Sequence, residues 1–190
     1  MTKQHFSLET EETSELAWQW LDLSRVLYEK EIEKTEDETL KNKLRFSYAE
    51  VLSTVGQLCL EIENHETAVH DLALCLHIRT ELLPSNDRVL AETHFFYGLA
   101  EQLANNFEVA VTEYEKAKSI IEFILSDPNQ PEATKKRLQA THADLENKVV
   151  ETRRLVVSGE DESERKKANE MLKGNFASCF FLCRNIITCY

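Results

Sequence analysis

The residues best able to do chemistry in this 190-residue chain are six histidines, five cysteines and 34 carboxylates. The histidines and cysteines do not assemble into a reaction centre. His70 and His77 are seven apart and can share a helix face, but no third ligand stands near them, and even an open tetrahedral metal site needs three. Cys179 and Cys183 sit four apart near the end of the chain, again without companions at ligand spacing. No glycine-rich phosphate loop, nucleophile elbow or paired-carboxylate motif is present, and the four glycines do not cluster. Neither an enzyme nor a metal or cofactor site is expected. The carboxylates remain.

They are unevenly spread. The formal net charge is −12. Residues 1–50 carry 12 acids and 7 bases, residues 51–127 carry 13 and 4, and residues 128–190 carry 9 and 11. The middle of the chain, at −9, is the acidic part. A field of that sign repels nucleic-acid phosphates and membrane surfaces and attracts basic partners. Direct contact with nucleic acid or membrane is therefore not expected. Met1–Glu12 is polar and acidic, which does not describe a secretory leader. The odd set Cys59, Cys75, Cys179, Cys183 and Cys189 then points to reduced thiols in the cytosol or nucleus.

The elements that position the acids are helices. Leu, Glu, Ala and Lys dominate, with only three prolines as breakers. An internal repeat specifies how the helices stack. Gly56, Ala68, Leu72 and Cys75 recur 42 residues later as Gly98, Ala110, Tyr114 and Ala117. Each unit reads as two antiparallel helices. The glycine lets the second helix approach, the small residue 12 positions on fills the matching hollow, and a larger one four further covers the same face. This small-then-large interlock resembles tetratricopeptide repeats, lengthened from their usual period. Ala17, Leu21 and Ser24 form a partial copy with no first helix before it, so an apolar face is left uncovered there and could pair two chains. The expected fold is all-α, a tetratricopeptide-like array of helical hairpins over residues 13–157 with a capping helix at about 132–157. Residues 1–12 are expected to be disordered, and residues 158–190 to form a polar helix followed by a poorly ordered apolar, cysteine-containing tail.

First helices line the concave side of such arrays. Offsets of about −6, −3, +1, +4 and +5 from the glycine select Glu50, Ser53, Gln57, Leu60 and Glu61 in one unit. In the next they select Glu92, Phe95, Leu99, Gln102 and Leu103. The expected partner-binding groove is thus Glu50, Gln57, Glu61, Glu92, Phe95, Leu99 and Gln102: acids for Arg or Lys, with apolar surface for the stem of a bound helix.

Three runs carry a family resemblance. Asp87–Ala100 (DRVLAETHFFYGLA) looks like the hallmark repeat of the nuclear autoantigenic sperm protein family, the SHNi-TPR histone chaperones. Ser14–Ser24 (SELAWQWLDLS) resembles the segment entering that family's central repeats, and Glu61–Val69 (EIENHETAV) fits the following unit. The resemblance implies binding of core histones three and four and their escort toward chromatin assembly, in the nucleus with a cytoplasmic pool. It implies that Glu61, Glu92 and Phe95 contact a basic histone helix, with Gln57 and Leu99 beside them. The family usually has an earlier repeat and a long acidic run; this chain has only Glu9–Glu12 and the mixed-charge Glu29–Glu38. An acid is expected where Gln57 stands, and Arg165-Lys166-Lys167 is a short match to a nuclear-import signal. The chain therefore resembles a divergent or truncated member. A cargo or scaffold adaptor of the kinesin-light-chain kind, also built on 42-residue repeats, is the alternative. The Asn86-Asp87 and Tyr97-Gly98-Leu99 sequences depart from the patterns of those arrays.

Overall fold

Runs of helix formers alternate with short polar turns, and most turns supply their own caps. Asp37 accepts the backbone N–H groups of Thr39 (2.8 Å) and Leu40 (3.2 Å), Asn64 that of Thr67 (3.3 Å), and Asp87 that of Val89 (2.8 Å). Each carboxylate or amide thus satisfies donors that the first helical turn leaves unpaired. The computed structural model describes residues 2–157 and position 170, with side chains described from residue 16 onward. Between 2 and 157 the elements are α1 (Thr2–Lys34), α2 (Glu38–Glu61), α3 (His65–Leu82), α4 (Arg88–Leu103), α5 (Phe107–Leu125) and α6 (Glu132–Val157). The architecture is the all-α hairpin array that the repeat implies.

α2–α3 and α4–α5 are the two copies, and their turns are built alike. Glu63 and Asn105, 42 residues apart, both adopt left-handed backbone, with φ of 62° and 66°. In both, the next residue's N–H reaches five residues back: Asn64 to the Cys59 carbonyl and Asn106 to the Glu101 carbonyl, each at 2.8 Å. This closing bond is what a left-handed cap makes at a helix C-terminus.

The glycines lie where the hairpins close. A methyl group on Gly56 would stand 2.6 Å from Leu72 Cγ. One on Gly98 would stand 2.9 Å from Tyr114 Cε1 and 3.2 Å from the Ala110 carbonyl oxygen. Ala68, Ala110 and Ala117 are fully buried at the same seams. α6 adds Leu138, Leu145 and Val149 to the main core, beside Ile120 and Ile121 of α5. A smaller cluster joins Tyr48, Ala49 and Leu52 of α2 to Cys75 and Ile78 of α3, with Tyr28 and Ile32 of α1 against it.

One expectation changes. The first helix begins at Thr2, so it takes in residues 2–12, which composition alone suggested were disordered. That stretch holds no glycine or proline, and nothing in it stops a helix from propagating backward. The polar helix and apolar tail expected over 158–190 lie outside the described residues, apart from position 170.

Replacing Gly56 by Ala separates the two opposing effects at the seam. Helix propensity alone favours alanine by about 1 kcal/mol, but the clash with Leu72 outweighs it. A net loss of roughly 1–2 kcal/mol is expected in urea unfolding. Combining Gly56→Ala with Leu72→Ala should cost less than the sum of the two, because each relieves the other's defect. Additive losses would place the strain elsewhere.

Candidate partner-binding surface

On α2 the acids are displayed as the spacing requires. Glu50 and Glu61 are exposed, 11 residues or about three turns apart on one face. Half-buried Gln57 lies between them and donates from Nε2 to Ser53 Oγ at 3.1 Å. Ser53 and Leu60, also placed in the groove by their offsets, are buried.

α4 departs from the expected groove. Phe95 is 1% exposed, and Leu99 and Gln102 are not exposed at all. Phe95 packs against the rings of Phe96 and Tyr114, with centroids 5.7 and 5.8 Å away. Gln102 Oε1 accepts the Tyr114 hydroxyl at 2.8 Å, while its Nε2 has no partner among the described residues. These three residues, with buried Leu103, are core rather than lining. The offsets of Phe95 and Gln102 are buried in both units, as Ser53 and Leu60 of α2 show, so they belong to the hairpin seam; in the second unit Tyr114 reaches both Phe95 and Gln102 there.

Four carboxylates are buried on α3, α4 and α5. Three have direct donors. Asp71 accepts Arg25 Nη1 of α1 at 3.0 Å and lies 3.0 Å from His70 Nδ1. Glu101 accepts Asn106 Nδ2 at 2.7 Å and the Tyr97 hydroxyl. Glu113 meets His94 Nδ1 at 2.6 Å and Lys116 Nζ at 2.8 Å. Burial acts to raise the Glu113 carboxyl, but these two partners more than offset it and hold it below the usual range.

Glu92 is the exception. It is 8% exposed and receives no hydrogen bond from another described residue. Burial pushes its carboxyl up to about 7, and the Arg79 guanidinium offsets only part of that shift. Arg79 is itself buried and uses Nη1 on Thr93 Oγ1, 2.7 Å away, rather than on Glu92. Glu50 of α2 and Glu92 of α4 both act on the Cys75 thiol of α3, which burial raises to about 11. The Cys75 Sγ donates to the Ala49 carbonyl at 3.1 Å. The two acids thus flank one point of contact between the repeats.

Of the residues the offsets selected, then, Glu50, Gln57 and Glu61 reach the surface and Glu92 sits just beneath it. The offsets missed the buried ion pairs. His94 and Glu113 are 19 residues apart, the same step that separates Gly98 from Ala117, so the repeat register contained that pair. Arg25 and Asp71 span 46 residues between different units, and no local signal joins them. Among the described residues, no three His, Cys, Asp or Glu side chains could hold a metal, and no helix is long and apolar enough to cross a membrane.

Comparison with known proteins now adds to this geometry. The SHNi-TPR family model matches residues 49–86, which takes in most of α2, all of α3 and the run Glu61–Val69. Over 108 residues, or 57% of the chain, it is 37% identical to Protein HGV2 of Halocynthia roretzi and 33% identical to Histone-binding protein N1/N2 of Xenopus laevis. Over the same length it is 32% identical to Nuclear autoantigenic sperm protein of Homo sapiens. The matched part spans 20%, 17% and 13% of those three proteins. A matched SHNi-TPR unit and about a third of the aligned residues shared make the chain similar to the SHNi-TPR proteins that include the nuclear autoantigenic sperm protein.

Proposed function

We propose that this chain is a histone chaperone: it binds core histones three and four through the acidic surface of its repeats and takes part in histone transport and chromatin assembly. It acts in the nucleus, with a cytoplasmic pool, on protein rather than nucleic acid. The observation that carries the reading is Glu92, 8% exposed and without a hydrogen bond from another described residue, on the helix that follows the α2–α3 hairpin with its exposed acids Glu50 and Glu61. A buried, unneutralised carboxylate costs the free chain stability. An incoming Lys or Arg from a basic helix supplies the missing donor. Glu50 and Glu61, both exposed, add the long-range attraction that draws such a helix in. A relative named for histone binding and the −9 charge of residues 51–127 point the same way.

Binding of a recombinant complex of histones three and four, followed by fluorescence anisotropy at about 0.15 M salt, tests this reading. Glu61→Lys combined with Glu92→Gln should weaken binding by roughly tenfold or more, the scale of one charge-assisted contact. Glu151→Lys, exposed on α6, should change it little. Equal retention by all three proteins would sink the assignment, and so would an equal loss in the Glu151 control.

Glu92 also sets a pH signature. Its carboxyl titrates near 7 in the folded chain against an ordinary value of 4.5. Between those limits the folded state holds more protons than the unfolded one, so stability falls as pH rises from about 4.5 to 7 and stays low above that. At pH 8, Glu92→Gln should therefore stabilise the free chain by up to about 3 kcal/mol, seen as a higher Tm, while it weakens histone binding. Wild-type binding should also tighten from pH 6 to pH 8 as the carboxylate ionises. A substitution that destabilised the chain at pH 8 would mean that Glu92 supports the fold instead of serving a partner.

A further inference from the structure

Arg79 of α3 meets α4 at two neighbouring side chains, Thr93 and Glu92. All three are buried, at 5%, 0% and 8% exposure. Arg79 Nη1 donates to Thr93 Oγ1 at 2.7 Å, while its Nε is buried without a hydrogen-bond partner among the described residues. Thr93 Oγ1 uses its own hydrogen on the Val89 carbonyl, 2.7 Å away, so toward Arg79 it is an acceptor only. The guanidinium thus donates to a neutral oxygen with a carboxylate beside it. A charge-assisted bond is about twice as strong as a neutral one, so the choice of Thr93 is a matter of placement. The β-branched side chain is stiff about its first torsion and tied to its own helix, which fixes its oxygen in front of Arg79. The longer Glu92 has no such tie.

We propose that the Thr93 hydroxyl is a latch that holds Arg79 off Glu92 and so keeps the carboxylate open to a cation from a partner. Arg79 is then a built-in competitor for that partner. Released from Thr93, its guanidinium takes the strongest acceptor within reach, and Glu92 becomes the acidic half of an internal ion pair. The effect of the latch on binding rests on the histone reading; its effect on Glu92 itself does not. The other titratable group at this junction is the Cys75 thiol, on which Arg79, Glu92 and Glu50 all act and which burial raises to about 11. A neutral thiol gives Glu92 no countercharge, so Arg79 is the internal cation that matters.

NMR of the side-chain carboxyl carbons in the full chain reads the latch directly, with Glu92 assigned as the signal absent from Glu92→Gln. In the wild type this signal should titrate near 7. Thr93→Val keeps the shape of the side chain and removes the acceptor. It should bring the titration down toward the ordinary carboxylate range, because a guanidinium bonded to the ionised form favours that form. Thr93→Ala makes the same comparison if the Val variant does not fold. Thr93→Ser keeps the hydroxyl and should leave the titration near 7, and adding Arg79→Gln to Thr93→Val should raise it again. Binding of histones three and four should weaken by roughly tenfold in Thr93→Val and stay near the wild type in Thr93→Ser. In Thr93→Val it should also lose its tightening between pH 6 and pH 8, since Glu92 is already ionised and paired. A Glu92 signal that stays near 7 in Thr93→Val overturns the latch. So does a wild-type signal already in the ordinary range, which would mean that Arg79 reaches Glu92 with Thr93 intact. A signal that falls in Thr93→Val with histone binding unchanged upholds the latch and sinks the histone reading instead.

Discussion

The array depends on two close approaches between helices, Gly56 against Leu72 and Gly98 against Tyr114. Each brings the backbone of a first helix within side-chain reach of the second, and each leaves no room for even a methyl group. Interiors packed at this density respond to volume changes of a single carbon. The two contacts also differ, and the difference has consequences. Leu72 ends at its partner glycine, whereas Tyr114 runs on to Phe95 and to the Gln102 amide. The second hairpin thereby gains a side-chain hydrogen bond across its seam, and α4 buries Glu92, Leu99 and Leu103 where α2 keeps Glu50, Gln57 and Glu61 at or near the surface.

That asymmetry decides where charge can act. Asp71, Glu101 and Glu113 are buried with donors in place, so their charges are neutralised within the fold. Glu92 is buried with no hydrogen bond from another described residue, and Arg79 Nη1 donates to Thr93 instead. Breaking or omitting one half of a buried pair leaves the remaining charge uncompensated. A protein whose repeats were optimised only for stability would have amide or apolar side chains at this position. The retained acid is best understood through the proposed partner, whose cation restores what the fold withholds.

At the other end of the array, α1 leaves Leu16, Trp20, Leu23 and Leu27 exposed. Arg25 and Asp71 pin it to α3, so the helix cannot roll this outer stripe inward without losing a buried ion pair. The exposed leucines and Trp20 are therefore a fixed surface rather than a chance orientation.

The fold was legible because tetratricopeptide packing is written in small residues at constant offsets. Two copies of glycine, alanine and a larger residue 42 apart specify the hairpins, their order and their seams without reference to anything distant. The display of Glu50 and Glu61 was legible for the same reason, since three turns of one helix determine it. The fate of Phe95, Leu99 and Gln102 was not. Ser53 and Leu60, the α2 residues at the offsets of Phe95 and Gln102, are buried too, so those offsets face the seam in both units, and only Leu99 differs from its half-buried counterpart Gln57. The isolation of Glu92 likewise depends on whether Arg79 turns toward it or toward Thr93, a choice made by the packing of α3 on α4. Local spacing determined which residues share a helix face; the tertiary structure alone decided which faces stay open, because that depends on side chains arriving from other helices.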